Sequence, residues 1–258
     1  MAVKYITSND GAKIAYSIYG NGPALVLAHG MGAKKEMWKE YGWVDVLQDK
    51  FTTICIDIRG NGESDKSYES EFYSLQNILN DIKSVVSQCG FSEYNYFGHS
   101  YGATIGLQLW KYDSNIRKVI CGGTTFGDEF FKQVVPEWII EYKELSHKKE
   151  NNELEDLSED VEDLSEDDRE WIKKTDINLI LAQLKAWNSW TKVDPNEGKT
   201  PLAIYSGSND NPRVLENLEK NEKAIKENNI KFKIFNGLDH KDLVRNIEKV
   251  SPWVLTFL

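Results

Sequence analysis

Five residues, Gly98-His99-Ser100-Tyr101-Gly102, impose more geometry on this chain than any other stretch. They follow a short apolar run, Tyr94, Tyr96 and Phe97, that reads as a strand. They precede Ala103, Ile105, Leu107, Leu109 and Trp110, which read as a buried helix. A serine held between two glycines at a sharp strand-to-helix turn takes a strained backbone conformation. The flanking chain passes so close that a side chain at Gly98 or Gly102 would clash. The helix behind the serine aims unpaired backbone N–H groups at it, as an activated nucleophile requires.

The surrounding pattern sets the fold class. Residues 3–6 and 14–19 read as strands, followed by turn chemistry at Gly20-Asn21-Gly22-Pro23. The unbroken apolar run Ala24-Leu25-Val26-Leu27-Ala28 is expected of a central strand covered on both faces. A helix is predicted over 36–48, a strand over 51–58, a helix over 74–88 and a strand over 118–121. Alternation resumes with a strand at 202–205, a helix at 214–227, a strand at 231–235 and a last helix running to Leu258. This order predicts an α/β fold with a mostly parallel, doubly wound sheet.

Between Phe126 and Lys199 the alternation stops. Helical patterns occupy 136–145 and 166–190, and Ser165 with Asp168 reads as a helix start. Leu154, Leu157, Val161 and Leu164 are spaced as one apolar stripe, and Leu-Ser-Glu-Asp occurs twice, at 157 and 164. The expected organisation is a core of residues 1–126 and 196–258 carrying a helical lid of residues 127–195.

Length, charge and cysteines narrow the class. At 258 residues the chain suits one large domain. Twelve acidic residues and one arginine lie between Glu150 and Glu170, so that segment accounts for the net charge of −10 and leaves the rest near neutral. Without a basic stripe, nucleic acid is not an expected partner. The acidic face is read as solvated, with a protein-docking surface as the alternative. No apolar run is long enough to span a bilayer. Met1 to Tyr5 lack the basic start and apolar stretch of a signal peptide. Cys55, Cys89 and Cys121 form no CxxC pair and are expected to be reduced, which suits the cytoplasm.

A serine hydroxyl needs a base, and the base works best when a carboxylate orients it. Of four histidines, His99 inside the turn is read as packing away from the serine, and His147 as solvated among lysines. His29 ends a strand. His240, on a loop after one strand and before the last helix, lies where a doubly wound sheet gathers such loops beside the serine. The acid is expected from the preceding loop, Gly207 to Pro212, which supplies Asp210; Asp239 competes as the neighbour of His240. Backbone N–H groups of Tyr101 and Met31 are the candidate oxyanion donors.

These residues together resemble the α/β-hydrolase superfamily over nearly the whole chain. The matching motifs are His29-Gly30 followed by Trp38, the turn from Asp57 to Ser64, the serine elbow, Gly207 to Asp210, and His240. The resemblance implies a Ser100, Asp210 and His240 triad, an oxyanion hole at Met31 and Tyr101, and a lid near 126–195. Dehalogenases and epoxide hydrolases of this fold carry aspartate where this chain has Ser100. The Asp57 to Ser64 turn is read as architecture, against the alternative of a phosphate-binding glycine loop. Gly32 stands where many members have proline, which is expected to loosen the oxyanion loop.

The function expected is a cofactor-free serine hydrolase cleaving a carboxylic ester or related acyl compound. Trp38, Phe126, Phe130, Trp138 and Trp187 are the candidate lining of an apolar acyl pocket. Lactone, carbon–carbon and peracid chemistry use the same triad. A ligand-binding receptor on the same fold is the alternative from another class.

Overall fold

The computed structural model describes residues 2–128, 130–151 and 166–258, except the side chains of 130 and 166–168. Its eight strands are β1 (Lys4–Thr7), β2 (Lys13–Tyr19), β3 (Ala24–Ala28), β4 (Thr52–Ile56), β5 (Tyr94–His99), β6 (Ile116–Gly122), β7 (Leu202–Gly207) and β8 (Lys231–Phe235). They form one sheet in the order β1-β2-β4-β3-β5-β6-β7-β8. β2 pairs antiparallel with β1 and β4, and every other pairing is parallel.

Successive side chains of a strand point to opposite faces, and β3 shows the result directly. Ala24, Val26 and Ala28 enter the core on one face, and Leu25 and Leu27 enter the core on the other. The first face is covered by α3 (Leu75–Gln88), α4 (Tyr101–Tyr112) and α8 (Pro212–Lys220). The second is covered by α1 (Met37–Glu40), α2 (Trp43–Leu47), α10 (Asp242–Arg245) and α11 (Ile247–Phe257). Each fully buried leucine or phenylalanine contributes roughly 1.5–3 kcal/mol through water release. Burial on both faces is why β3 carries no polar side chain.

Helix boundaries depart from the sequence pattern where the backbone interrupts it. The helix predicted over 36–48 divides at Gly42, which adopts φ 89° between α1 and α2. The one predicted over 214–227 divides at Asn221 into α8 and α9 (Glu222–Glu227), and the last divides at Asn246.

Between β6 and β7 the described residues form a helical insert that includes α5 (Val135–Glu150), α6 (Glu166–Lys174) and α7 (Ile177–Trp187). The helix predicted over 166–190 breaks at Asp176, whose side chain accepts the N–H groups of Asn178 and Leu179 and restarts the helix as α7. The Ser165 helix start, the leucine stripe and most of the acidic run lie outside the described residues. Among the described residues the three cysteines are free thiols, and no helix is long and apolar enough to cross a membrane.

Candidate active site

Parallel pairing aligns Ala28 of β3 with Gly98 of β5, so the loop after β3 runs beside the elbow after β5. Ser100 sits at the elbow with φ 56° and ψ −116°. A β-substituted residue held there costs about 1–3 kcal/mol and persists only when its surroundings over-determine it. They do so here. The Ser100 N–H donates to Gly122 O at 2.8 Å, and the Gly102 N–H donates to His29 O at 3.1 Å. Tyr96 Oη donates to Gly102 O at 2.7 Å. A Cβ at Gly98 would lie 2.2 Å from Gly102 O, and one at Gly102 would lie 2.3 Å from Ala28 O. Both glycines are therefore obligatory.

Two loops bring Asp210 and His240 together. The Ser208 N–H donates to Phe235 O and the Asn209 N–H to Leu238 O, each at 3.0 Å, while the Gly237 N–H donates to Ser208 Oγ at 2.8 Å. Zipped in this way, the loops after β7 and β8 place His240 Nδ1 2.9 Å from Asp210 Oδ1. Asp210 also accepts from Ser206 Oγ at 2.6 Å and from the Asn211 N–H at 2.7 Å. Burial alone would raise its pKa. The His240 contact and the other two donors outweigh burial and hold it below the ordinary carboxylate value. An ionised Asp210 fixes the His240 tautomer with the proton on Nδ1 and leaves Nε2 free to act as a base.

Asp239 serves elsewhere. Its Oδ1 accepts the Asp242 N–H at 2.7 Å, at the start of α10, and among the described residues the carboxylate bonded to the imidazole is Asp210.

The imidazole packs against Gly123, next in chain to the residue that accepts from Ser100. It is 40% exposed, so water reaches it. The Ser100 hydroxyl is not hydrogen-bonded to it among the described residues; such contacts are often long in free enzymes and tighten when substrate binds. His99 does not turn away from this centre. Its ring lies 4.9 Å from the His240 ring at 40°. Burial, reinforced by His240, pushes the His99 pKa well below the usual histidine value, so it stays neutral. The hydrophobic pattern gave no sign of this contact. His147 is exposed.

Among the described residues, neither the Met31 nor the Tyr101 N–H finds a protein acceptor. Tyr101 begins α4, where such orphan donors are expected. His29 braces the loop bearing Met31. Its Nε2 accepts the Ile58 N–H at 3.1 Å, which leaves Nδ1–H to donate to Gly30 O at 2.7 Å.

The turn after β4 is filled from inside. Asp57 accepts the Lys35 N–H at 2.7 Å, Lys35 Nζ at 2.8 Å and the Glu63 N–H at 2.9 Å. Gly62 packs directly on that carboxylate. An anion inside the turn would meet Asp57, which removes the phosphate-loop alternative and leaves architecture.

The aromatic candidates separate. Trp38 is fully buried on the α1 and α2 face, 4.9 Å from Phe97 and 6.2 Å from Trp43, and is core rather than pocket. Phe126 is likewise fully buried, edge-on to Trp110. The side chain of Phe130 lies outside the described residues. Trp187 packs 4.9 Å from the Tyr101 ring, with half-buried Trp138 5.9 Å from Trp187. Trp190, another of the insert's tryptophans, stacks on Tyr101 at 5.5 Å.

Residues 23–244 match the family model described as alpha/beta hydrolase fold. A stretch of 126 residues, 47% of this chain, is 29% identical to the bifunctional epoxide hydrolase 2 of Sus scrofa and covers 22% of that protein. The chain spans less than two-fifths of the length of the curated relatives it matches first, 22% and 34%. Among solved structures, a hydrolase from Pseudomonas aeruginosa PA01 superposes with a TM-score of 0.76 at 19% identity, covering 99% of this chain and 97% of that one. The enol-lactonase from Burkholderia xenovorans LB400 gives 0.73 at 20% identity, covering 98% and 99%. At these identities the two structures speak for the fold alone.

Proposed function

Because the chain belongs to the α/β-hydrolase fold family, we propose that it is a serine hydrolase cleaving a carboxylic ester or related acyl compound through an acyl-enzyme. The observation that supports this reading is the hydrogen-bonded Asp210–His240 pair in a chain whose Ser100 occupies a strained elbow.

Ser100 Oγ attacks the acyl carbonyl while His240 Nε2 takes its proton, and Asp210 stabilises the imidazolium through Nδ1. The carbonyl oxygen becomes an oxyanion that receives the free N–H groups of Met31 and Tyr101; losing one such donor costs about 2.7–4 kcal/mol of transition-state stabilisation. When the tetrahedral intermediate collapses, the C–O bond to the leaving alcohol breaks and the imidazolium protonates that alcohol. Water, deprotonated by the same imidazole, then attacks the acyl-enzyme. The acid is released and the proton returns to Ser100. A cyclic ester meets the same machinery.

Ser100 separates this chemistry from relatives that open epoxides or displace halide with an elbow aspartate. Trp187 and Trp190 against Tyr101, with Trp138 against Trp187, supply an apolar wall and favour an apolar acyl group. The insert acts as the lid over that wall.

Turnover of p-nitrophenyl esters of increasing chain length, together with labelling by a serine-directed phosphonate, tests the reading. Ser100→Ala is expected to lose both activities while keeping the wild-type melting temperature. Near-wild-type turnover by that variant would falsify the assignment.

A further inference from the structure

We propose that Asn61 and Gln183 are positioning residues that make the geometry of the Met31 loop depend on how the helical insert is seated. The inference rests on reading Met31 as an oxyanion donor and extends it to how that donor is held.

Gly32, next to Met31, has φ +71° and donates its N–H to Asn61 Oδ1 at 3.0 Å. Proline fits neither the positive φ nor the donated bond, so glycine here ties the loop down rather than loosening it. The other end of the Asn61 amide fixes its orientation. Nδ2 faces Ile58 O and Arg59 O, each at 3.2 Å, and Gln183 Oε1 at 3.0 Å. Only with the nitrogen on that side does the oxygen face Gly32.

Gln183 belongs to α7 of the insert and is fully buried. Its neighbours Ile180, Leu181, Ala182, Leu184 and Ala186 are apolar and buried. Its own Nε2 is satisfied by Leu179 O at 3.3 Å, so Oε1 is left for Asn61. A buried amide oxygen without a partner is costly, and this one finds its partner only while α7 sits on the turn. The insert holds Gly32 a second time. Trp171 of α6 lies over it so closely that a Cβ there would come within 2.7 Å of Cζ2.

Two insert helices thus reach the same residue by independent contacts, one through a two-amide relay and one through an aromatic face. When the insert lifts to admit substrate, both contacts break and the peptide carrying the Met31 N–H is released. When it reseats, the donor is restored. Substrate enclosure and oxyanion-hole assembly become one event, a conformational gate on the chemical step.

Gln183→Met keeps the volume and removes the amide. Trp171→Leu, at a half-buried position, removes the second contact and carries the test if the first variant does not fold. With p-nitrophenyl esters, each is expected to lower kcat about tenfold or more with KM changed less than about twofold, since a misplaced group acts on the transition state. Inhibition by an alkyl boronic acid, which fills the oxyanion site as a tetrahedral adduct, should weaken by the same factor. Amide hydrogen exchange over residues 30–35 should accelerate while β5 stays protected. A purely structural role moves stability and leaves the kcat and boronate factors uncoupled.

Variants within twofold of wild type in kcat, or unchanged exchange over 30–35, overturn the inference. The exchange measurement needs no substrate. If the wild-type chain hydrolyses no ester, the functional reading fails while exchange still decides whether the insert holds the loop.

Discussion

Asp210 and Asp239 are two carboxylates of the same type, 29 residues apart, and their surroundings assign them different work. Asp210 is buried, accepts three donors and is held in its ionised form; Asp239 is exposed and receives the first N–H of a helix. Asp210→Asn presents the imidazole with an amide that stabilises neither the tautomer nor the imidazolium. Steady-state kinetics should show kcat lower by about four orders of magnitude, the scale seen when a triad acid is so replaced. Asp239→Asn preserves a helix-start acceptor and should leave kcat within twofold. The reverse ranking would move the acid to Asp239.

Elements that act through their ends offer a separate test. α7 begins where Asp176 accepts two backbone N–H groups, and Tyr68 Oη donates to Asp176 Oδ2 at 2.8 Å. Asp176→Ala should destabilise the protein by about 1 kcal/mol, read as a lower urea midpoint with the slope unchanged. The same element shows what a sequence exposes and what it hides. The strands, the elbow and the loops bearing Asp210 and His240 are legible because apolar periodicity and glycine punctuation are local signals. Gly42 and Asp176 also divide helices by local chemistry, but the apolar spacing runs through both and masks the break. Asn61 facing Gln183, His99 facing His240 and Trp38 facing Phe97 are pairings between residues at least 59 positions apart, and no local pattern encodes them.

At the scale of the whole molecule, two neutral histidines are built into the interior. Burial lowers the pKa of His29, and burial with the neighbouring His240 lowers that of His99 further. In the unfolded chain a histidine takes up its proton near pH 6.5. Below that pH the unfolded state binds protons that the native state refuses, so stability is complete above about pH 6.5 and falls as pH drops toward the depressed native values. Each histidine contributes a slope of up to about 1.4 kcal/mol per pH unit. Urea unfolding at pH 7, 6 and 5 should show a progressive loss, and a flat profile would contradict the neutral assignment.

In the proposed mechanism the nucleophile, Ser100, lies at the centre of the sheet, and the proposed acid and base, Asp210 and His240, lie on loops after β7 and β8. Translation therefore delivers the serine first, 110 residues ahead of Asp210 and 140 ahead of His240. At synthesis rates of roughly 5–20 residues per second, a growing chain carries Ser100 for roughly 7–28 seconds before the proposed base, His240, exists. During that interval the elbow has a hydroxyl with nothing to deprotonate it. On the proposed mechanism, the polypeptide is made as an inert chain and becomes reactive only once its last two strands have joined the sheet.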